Sequence, residues 1–257
     1  MINNISFVTT HFVDFDWTSL LVRNIRKFTP PEKIKEILII NQDRTVESRD
    51  RLLALDPSVR VVEYPRSELH FKLQLHDHAA VLNQAIRDVV GESVCVFDSD
   101  AHPLNKKWLP NCERIFEYYD AILGLQPGRV IDTHPCFMFF KDLDLKLEIQ
   151  FDEGLEAEKV DVGRRVGIQL LKQGKKVYLA ASKYAFYGQC GFFYLDSIYH
   201  HQAGSYHGSS KISIRNKIGW KNKYFKSIII NRNQYCFTAI ELVRYIMLRF
   251  VHSLIRE

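Results

Sequence analysis

Two aspartates separated by one serine stand directly after a short apolar run in the middle of the chain. The run comprises residues 94–97, and Asp98, Ser99 and Asp100 follow it. A fully apolar strand is typical of a parallel sheet covered by helices, and such sheets bind ligands at the carboxyl ends of their strands. Because side chains alternate along an extended segment, Asp98 and Asp100 could share one cation. Two carboxylate ligands favour Mg²⁺ or Mn²⁺ over Zn²⁺, whereas a pair of turn-capping residues is the structural alternative.

Strand-like and helix-like segments alternate through the first hundred residues and place these aspartates in a sheet. Short apolar runs predict strands at residues 5–9, 37–40, 59–64 and 94–97. Apolar residues at helical spacing predict helices at residues 17–28 and 75–90. This order is typical of right-handed βαβ units. We therefore predict an α/β fold with a mostly parallel, Rossmann-like sheet and helices on both faces.

Beyond Asp100 the order of the elements is less regular. Helices are predicted at residues 108–119 and 160–173, and strands at residues 121–125, 136–140 and 176–180. The sequence contains no internal repeat, linker or low-complexity segment. We therefore treat this part as a continuation of the same domain.

The composition is typical of a folded protein, but the charge is unevenly distributed. The 257 residues are 46% hydrophobic and 25% charged, with a formal net charge of +5. Residues 211–257 hold ten Lys or Arg against two Glu, a charge of +8, which leaves −3 on residues 1–210. The acidic body argues against nucleic-acid binding, whereas the basic extension could contact an anionic surface.

The basic extension ends in a predicted amphipathic helix at residues 234–256, with one apolar and one basic face. This helix could pack on the body or on a second subunit, and the latter would make a homodimer. It could also lie in the plane of a membrane, helped by the lysines of residues 211–226.

The cysteine pattern bears on where the protein works. The five cysteines are scattered without paired spacing, which favours a reduced, cytoplasmic compartment. We expect neither a secretory signal at the first residues nor a stretch of roughly 20 apolar residues that could span a bilayer. A membrane contact would then be peripheral, on the inner face.

Several matching segments within residues 5–205 resemble the family-2 glycosyltransferases, which belong to the nucleotide-diphospho-sugar transferase superfamily and have the GT-A fold. The strongest match is a helix with the sequence Ala-Val-Leu-Asn-Gln-Ala-Ile, followed by Gly-Glu and then by Phe-Asp-Ser-Asp. The last part resembles the family's Asp-X-Asp motif. The resemblance implies that Asp98 and Asp100 bind Mn²⁺ or Mg²⁺ and that Asp98, Ser99 and Asn83 contact the nucleotide sugar. A structural hydrogen bond is the alternative role of Asn83.

A second match concerns the ends of the first two predicted strands. Val-Thr-Thr-His and Ile-Ile-Asn-Gln-Asp resemble the segments that hold the nucleotide base and ribose in this family. The resemblance implies that Thr9, Thr10, Asn41 and Asp43 contact the nucleotide. Asn41 stands where the family commonly has an aspartate, so the identity of the base is left open.

A third match concerns the acceptor side. His-Pro-Cys-Phe-Met-Phe resembles an acceptor-lining strand, and Val-Asp-Val-Gly resembles the start of the following helix. The resemblance implies that Asp161 removes the proton of the acceptor hydroxyl, with Glu158 and Asp152 as alternates. The usual Glu-Asp pair is missing here, because Lys159 and Val160 precede Asp161. A helix N-cap is the alternative role of Asp161.

A fourth match is a late histidine segment, Tyr-His-His-Gln-Ala-Gly-Ser, which in the family supplies a further metal or phosphate contact. Two adjacent side chains of an extended segment cannot point the same way. We favour His200 as the metal ligand, with His201 as the alternate. An ordinary surface or core histidine is the structural alternative for both.

Together these matches predict a GT-A domain at residues 1–210 and a basic extension at residues 211–257. The domain would divide into a nucleotide-binding half at about residues 1–104 and an acceptor half at about residues 105–210. The predicted reaction moves a sugar from a nucleotide-diphosphate donor to a glycan or lipid-linked acceptor with inversion. A catalytically inactive nucleotide- or glycan-binding module is the alternative. A nucleotidyltransferase is less favoured, because no glycine-rich loop follows the first strand.

Overall fold

The computed structural model describes residues 2–12, 15–43, 45–64, 78–125, 132–142, 149–151, 162–184, 191–201 and 247. Within these ranges the strands are β1 (Ile5–His11), β2 (Ile34–Asn41), β3 (Val59–Glu63), β4 (Ser93–Phe97), β5 (Ala101–Pro103), β6 (Ala121–Leu125), β7 (Thr133–Phe140), β8 (Val177–Ala180), β9 (Lys183–Tyr184), β10 (Phe192–Tyr194) and β11 (Ile198–His200). The helices are α1 (Phe15–Phe28), α2 (Val46–Leu53), α3 (His78–Asp88), α4 (Trp108–Ile115) and α5 (Val166–Lys172), and Pro31–Lys33 forms a 3₁₀ turn.

The larger of two sheets has seven strands in the order β3-β2-β1-β4-β7-β6-β8. The first four strands are mutually parallel, and β8 runs parallel to β6. Strand β7 is antiparallel to both of its neighbours, β4 and β6. The prediction of an α/β fold with a mostly parallel sheet is thus confirmed.

Alternate residues of each central strand face two separate apolar cores. In β4, Cys95 and Phe97 pack in the core that contains α1 and α4, whereas Val94 and Val96 pack in the core that contains α3 and α5. All four side chains are at most 1% exposed. Burial on both faces explains why the run before the two aspartates contains no polar residue.

A second, smaller sheet has the order β5-β11-β10-β9, and all its strands are antiparallel. The sequence patterns do not predict it, because its strands are only two or three residues long and show no period. Two of the predicted helices are also shorter than expected. Helix α4 stops at Ile115 and continues as turns, and residues 162–165 form a turn before α5 begins at Val166.

Among the described residues, no helix combines the length and the apolar character that crossing a membrane requires. The predicted amphipathic helix at residues 234–256 lies outside the described residues, except for Met247.

The buried carboxylate of Glu36 links the amino ends of the central strands through hydrogen bonds and an ion pair. The Oε1 atom of Glu36 accepts hydrogen bonds from Ser6 Oγ at 2.6 Å and from the Val90 amide at 2.9 Å. Its Oε2 atom pairs with Arg60 Nε at 2.7 Å. Burial opposes ionisation of Glu36, but the hydrogen bonds and the charge of Arg60 outweigh it and lower the pKa of Glu36 below 4.5. This network joins β1, β2 and β3 to the turn that leads into β4.

We expect Glu36→Gln to lower the free energy of unfolding at pH 7 by about 2 kcal/mol, because it weakens hydrogen bonds to a charged group. A folded-state pKa below the unfolded value stabilises the protein above about pH 4.5, and this contribution is lost as pH falls through the folded pKa. The difference between the two proteins should therefore shrink in urea unfolding at pH 3. Glu117→Gln, at an exposed position, is the control, and a difference that is independent of pH would contradict the prediction.

Candidate functional site

The candidate site forms where the two sheets meet. Asp98 follows the last residue of β4, and the Ala101 amide donates a hydrogen bond to the Asp98 carbonyl in the turn between them. This turn leads Asp100 directly into β5, whose residue Ala101 pairs with His200 of β11. The His201 amide also donates to the Asp100 carbonyl at 3.0 Å. Pairing between β5 and β11 therefore brings His200 to the two aspartates.

Asp98, Asp100 and His200 each offer one ligand atom, and the three atoms lie within 4.8 Å of one another. His200 Nε2 lies 3.5 Å from Asp100 Oδ1 and 3.9 Å from Asp98 Oδ2. Asp100 is 4% exposed and the Asp98 side chain is 15% exposed, so water screens the two negative charges only partly. Two close carboxylates in such a place repel unless a cation lies between them. Two oxygen ligands and one imidazole fit a divalent ion such as Mn²⁺.

Two further histidines contact Asp98 from other parts of the chain. His78 Nε2, at the start of α3, lies 3.4 Å from Asp98 Oδ1. His134 Nδ1, near the start of β7, lies 3.5 Å from Asp98 Oδ2. Neither contact is predicted from the sequence. From its place at the start of a predicted helix, His78 would be expected in a solvated first turn. In the structure its side chain is only 14% exposed.

His201 lies apart from this cluster. It is 1% exposed, its Nδ1 atom lies 2.8 Å from the Tyr199 hydroxyl, and its ring packs 4.6 Å from the Trp17 ring. Nearby, burial and then the charges of Arg23 and His200 lower the pKa of His102 to about 3. Successive side chains at the end of β11 point to opposite sides. The His200 side chain therefore lies beside the carboxylates, and the His201 side chain lies beside Tyr199 and Trp17.

A cavity of about 220 Å³ lies at the carboxyl ends of β1 and β2. The Arg51 guanidinium stacks 4.0 Å over the Phe15 ring at its wall. The cavity's other lining residues are polar or charged: His11, Asp43, Thr45, Glu47 and Ser48. Of the four residues predicted to contact the nucleotide here, Asp43 lines the cavity, Thr9 is 1% exposed and Thr10 is half-buried.

No protein-family model and no curated protein matches this sequence. Solved structures do match it in fold. The mannosyltransferase PcManGT from Pyrobaculum calidifontis, solved with GDP-Man and Mn²⁺, is 15% identical over 70% of this chain and 57% of its own, with a TM-score of 0.54. S. aureus TarS 1-349 is 13% identical over 79% of this chain and 62% of its own, with a TM-score of 0.51.

Glucosyl-3-phosphoglycerate synthase from Mycobacterium tuberculosis, solved with phosphoglyceric acid, is 13% identical over 70% of each chain, with a TM-score of 0.51. The chain has a GT-A-type fold. It spans less than two thirds of the length of the first two proteins, and at these identities the likeness extends to the fold alone.

In this GT-A-type fold the side chain of Asn41 is fully buried, and both its amide nitrogen and its oxygen make hydrogen bonds within the protein. Its Nδ2 atom donates to both carboxylate oxygens of Glu63 at 3.2 Å, and its Oδ1 atom accepts from the Asp43 amide at 3.0 Å. Asn41 therefore holds the loop that carries Asp43 into the cavity. A direct contact of Asn41 with a base would need these hydrogen bonds to be exchanged.

Asn83 also makes a closed pair of hydrogen bonds. Its Nδ2 atom donates to the Phe151 carbonyl at 2.8 Å, and its Oδ1 atom accepts from the Phe151 amide at 2.7 Å. These bonds match the structural alternative for Asn83. Ser99 is 7% exposed in the turn between the two aspartates.

Asp161, Glu158 and Asp152 lie outside the described residues. The residues that follow Asp161 are anchored to β7 of the GT-A-type sheet. Gly163 has a φ of +84°, and its carbonyl accepts a hydrogen bond from Thr133 Oγ1 at 2.5 Å. A Cβ atom at this glycine would lie 2.8 Å from Met138 Cε. This anchor ties the chain after Asp161 to the strand that carries His134.

Proposed function

We propose that this chain is a metal-dependent glycosyltransferase that moves a sugar from a nucleotide-diphosphate donor to a glycan or lipid-linked acceptor. The observation that carries the proposal is the cluster of Asp98, Asp100 and His200 at the carboxyl end of β4 in a GT-A-type fold. Open α/β sheets bind ligands at this edge. The Mn²⁺ and GDP-Man bound to the mannosyltransferase of the same fold support both the ion and the donor class.

The proposed residues divide between the two ends of the donor. Asp98, Asp100 and His200 hold Mn²⁺ or Mg²⁺, which when bound neutralises charge on a leaving diphosphate. The cavity next to Asp43 is the proposed site of the base, because the Phe15 ring and the Arg51 guanidinium in its wall could contact an aromatic ring.

Asp161 is the proposed general base. A carboxylate within about 3 Å of the acceptor hydroxyl would take its proton as the oxygen attacks the anomeric carbon. Attack from the face opposite the leaving diphosphate inverts the anomeric configuration. The anchoring of Gly163 on β7 supports this role, because β7 also carries His134 beside Asp98.

The decisive experiment measures binding and slow hydrolysis of GDP-sugars and UDP-sugars by the full chain with Mn²⁺ and with EDTA. We expect binding and release of nucleoside diphosphate that both require the ion. Binding without any turnover, with every donor and acceptor tried, would instead support the inactive binding module. No binding of any nucleotide would contradict the proposal.

The basic extension is proposed to hold the enzyme on the inner face of the cytoplasmic membrane, near lipid-linked acceptors. We expect deletion of residues 234–257 to lower binding to vesicles with 30% anionic lipid by about tenfold, since the predicted helix supplies apolar area and positive charge. Vesicle co-sedimentation measures the effect, and retained Mn²⁺ binding controls for folding. Unchanged vesicle binding, or a homodimer that dissociates on truncation, would contradict the membrane role.

A further inference from the structure

One segment of the acidic body is strongly basic. Residues 162–184 hold six Lys or Arg and no Asp or Glu, although residues 1–210 together carry −3, so the rest of those residues carry −9. The segment comprises the turn before α5, then α5, β8 and β9. Strand β8 is the last strand in the order of the large sheet. The positive charge of the body is therefore concentrated at one edge of the fold.

Helix α5 has one buried face and one exposed face in this segment. Val166, Gly167 and Leu170 are buried against the large sheet. Ile168 is 38% exposed and Leu171 is 56% exposed. Residues three positions apart are neighbours on a helix, so these two exposed side chains lie side by side. A single exposed aliphatic side chain is ordinary, and the meaning of this pair depends on what surrounds it.

Basic side chains flank the exposed pair. Arg165 precedes Ile168 by three positions and Lys172 follows it by four, so both share its face of the helix. Arg165 and Lys172 are themselves exposed. Lys175 and Lys176 come next, in the turn that leads to β8. Neither Lys172, Lys175 nor Lys176 forms an ion pair with another residue of the described ranges. Their charges are therefore available to an external anion.

Leu179 continues the apolar surface onto β8. Its partner in the parallel pair with β6 is Leu123, which packs in the core that contains α5. Paired residues of neighbouring strands point to the same face of a sheet, so Leu179 lies on the face that α5 covers. It is 36% exposed. We refer to the exposed aliphatic and basic side chains of this region as the α5 surface: Arg165, Ile168, Leu171, Lys172, Lys176 and Leu179.

We propose that the α5 surface binds an anionic lipid bilayer directly, as a membrane contact of the body in addition to the basic extension. Aliphatic side chains enter the headgroup region of such a bilayer, while Lys and Arg pair with lipid phosphates. The remaining body carries −9, so an anionic bilayer repels the other faces and selects this one. A bilayer suits the surface better than a second copy of this chain, because the basic groups of two copies would repel each other.

The inference rests on the proposed function for its purpose, which is to bring a lipid-linked acceptor to the proposed base. Asp161 is bonded to Val162, the first residue of the turn before α5, so their Cα atoms are about 3.8 Å apart. The Gly163 carbonyl in this turn accepts a hydrogen bond from Thr133 Oγ1 of β7. Binding through the α5 surface would therefore hold the segment next to the base at the bilayer.

The experiment measures co-sedimentation of the full chain with phosphatidylcholine vesicles that contain 30% phosphatidylglycerol. We expect Ile168→Ser with Leu171→Ser to weaken binding about tenfold at both low and high salt, since burial of apolar side chains does not depend on ionic strength. Lys172→Gln with Lys176→Gln should weaken it about 25-fold at about 0.1 M salt, roughly fivefold for each lysine. This second effect should largely disappear at about 1 M salt, where charges are screened within about 3 Å.

A matched control removes two aliphatic side chains elsewhere. Leu53 and Val90 are 42% and 60% exposed, and Leu53→Ser with Val90→Ser should leave vesicle binding within about twofold of the wild type. Brominated lipids report the location, because they should quench the added fluorescence of Leu171→Trp and not that of Leu53→Trp. All variants should keep wild-type Mn²⁺ affinity, since none of them changes a candidate ligand.

Three results would overturn the inference. A wild-type chain that does not bind the vesicles has no membrane surface at all. Vesicle binding that both α5 variants retain, and that deletion of residues 234–257 abolishes, would assign the contact to the basic extension alone. An equal loss in the Leu53 and Val90 control would make the effect unspecific. Failure of the proposed function is distinct, because the wild type would then bind neither GDP nor UDP with Mn²⁺, whatever its affinity for vesicles.

Discussion

Asp100→Asn should abolish Mn²⁺-dependent binding of the donor, with Mn²⁺ affinity falling more than about 100-fold. Residues that merely orient a ligand already contribute 10- to 100-fold to metal affinity, so loss of a charged ligand should cost more. The change is isosteric, and the Asp100 backbone stays held by the His201 amide. It also removes one of two close negative charges. Thermal stability in EDTA should therefore be unchanged or higher, while the stabilisation by Mn²⁺ disappears.

Asp196→Asn is the matched control for this prediction. The Asp196 side chain is 73% exposed and pairs with Lys183 on the surface, so its replacement should change neither Mn²⁺ affinity nor stability by a measurable amount. Titration of Mn²⁺ by electron spin resonance and thermal unfolding with and without the ion give both quantities. An Asp100→Asn protein that still bound Mn²⁺ with wild-type affinity would remove the main support for the proposed function.

Asp161→Asn should lower kcat by about 10² to 10⁴, the range for loss of a general base. Donor affinity and Mn²⁺ affinity should stay within about threefold of the wild type, because Asp161 is proposed to act on the acceptor. The opposite result is expected for Asp100→Asn, in which the loss of Mn²⁺ and donor affinity comes first. Single-turnover rates at saturating donor separate the two.

The alternates for the base supply the controls. Glu158→Gln and Asp152→Asn remove the other two carboxylates proposed for this role, one at a time. The largest loss of kcat identifies the base. If Asp161→Asn retained wild-type kcat while one of the others lost it, the assignment of Asp161 would be wrong, although the glycosyltransferase proposal would stand.

The large sheet could be predicted because its central strands are buried on both faces and are therefore continuous apolar runs in the sequence. Strand β4 is buried on both faces, so a run without polar residues marks it in the sequence. The direction of β7 could not be predicted in the same way, because an antiparallel strand inside a parallel sheet has the same apolar run. The smaller sheet has strands too short to show any period, and its pairing depends on the rest of the fold.

The candidate site could be predicted where its residues are close together in the sequence. It could not be predicted where the fold brings together residues that are far apart in the chain. Asp98 and Asp100 can be predicted because they directly follow the apolar run of β4, and the family resemblance implies His200. His78 and His134 reach Asp98 only because α3 and β7 both begin at this edge of the sheet. A single histidine carries no local signal of such a contact. Asn41 likewise gives no sign in the sequence that Glu63 and Asp43 occupy its amide group.

The position of the candidate ligands between the two sheets has a mechanical consequence. Asp98 directly follows a strand of the large sheet, whereas His200 belongs to the small sheet. A cation held by both would act as a cross-link that closes a long loop of chain, and such clips restrict the unfolded chain most when the loop is long. The small sheet has few residues per strand to hold itself in place. Chelation would then loosen it first, and local opening of β11 would set the rate at which the ion escapes.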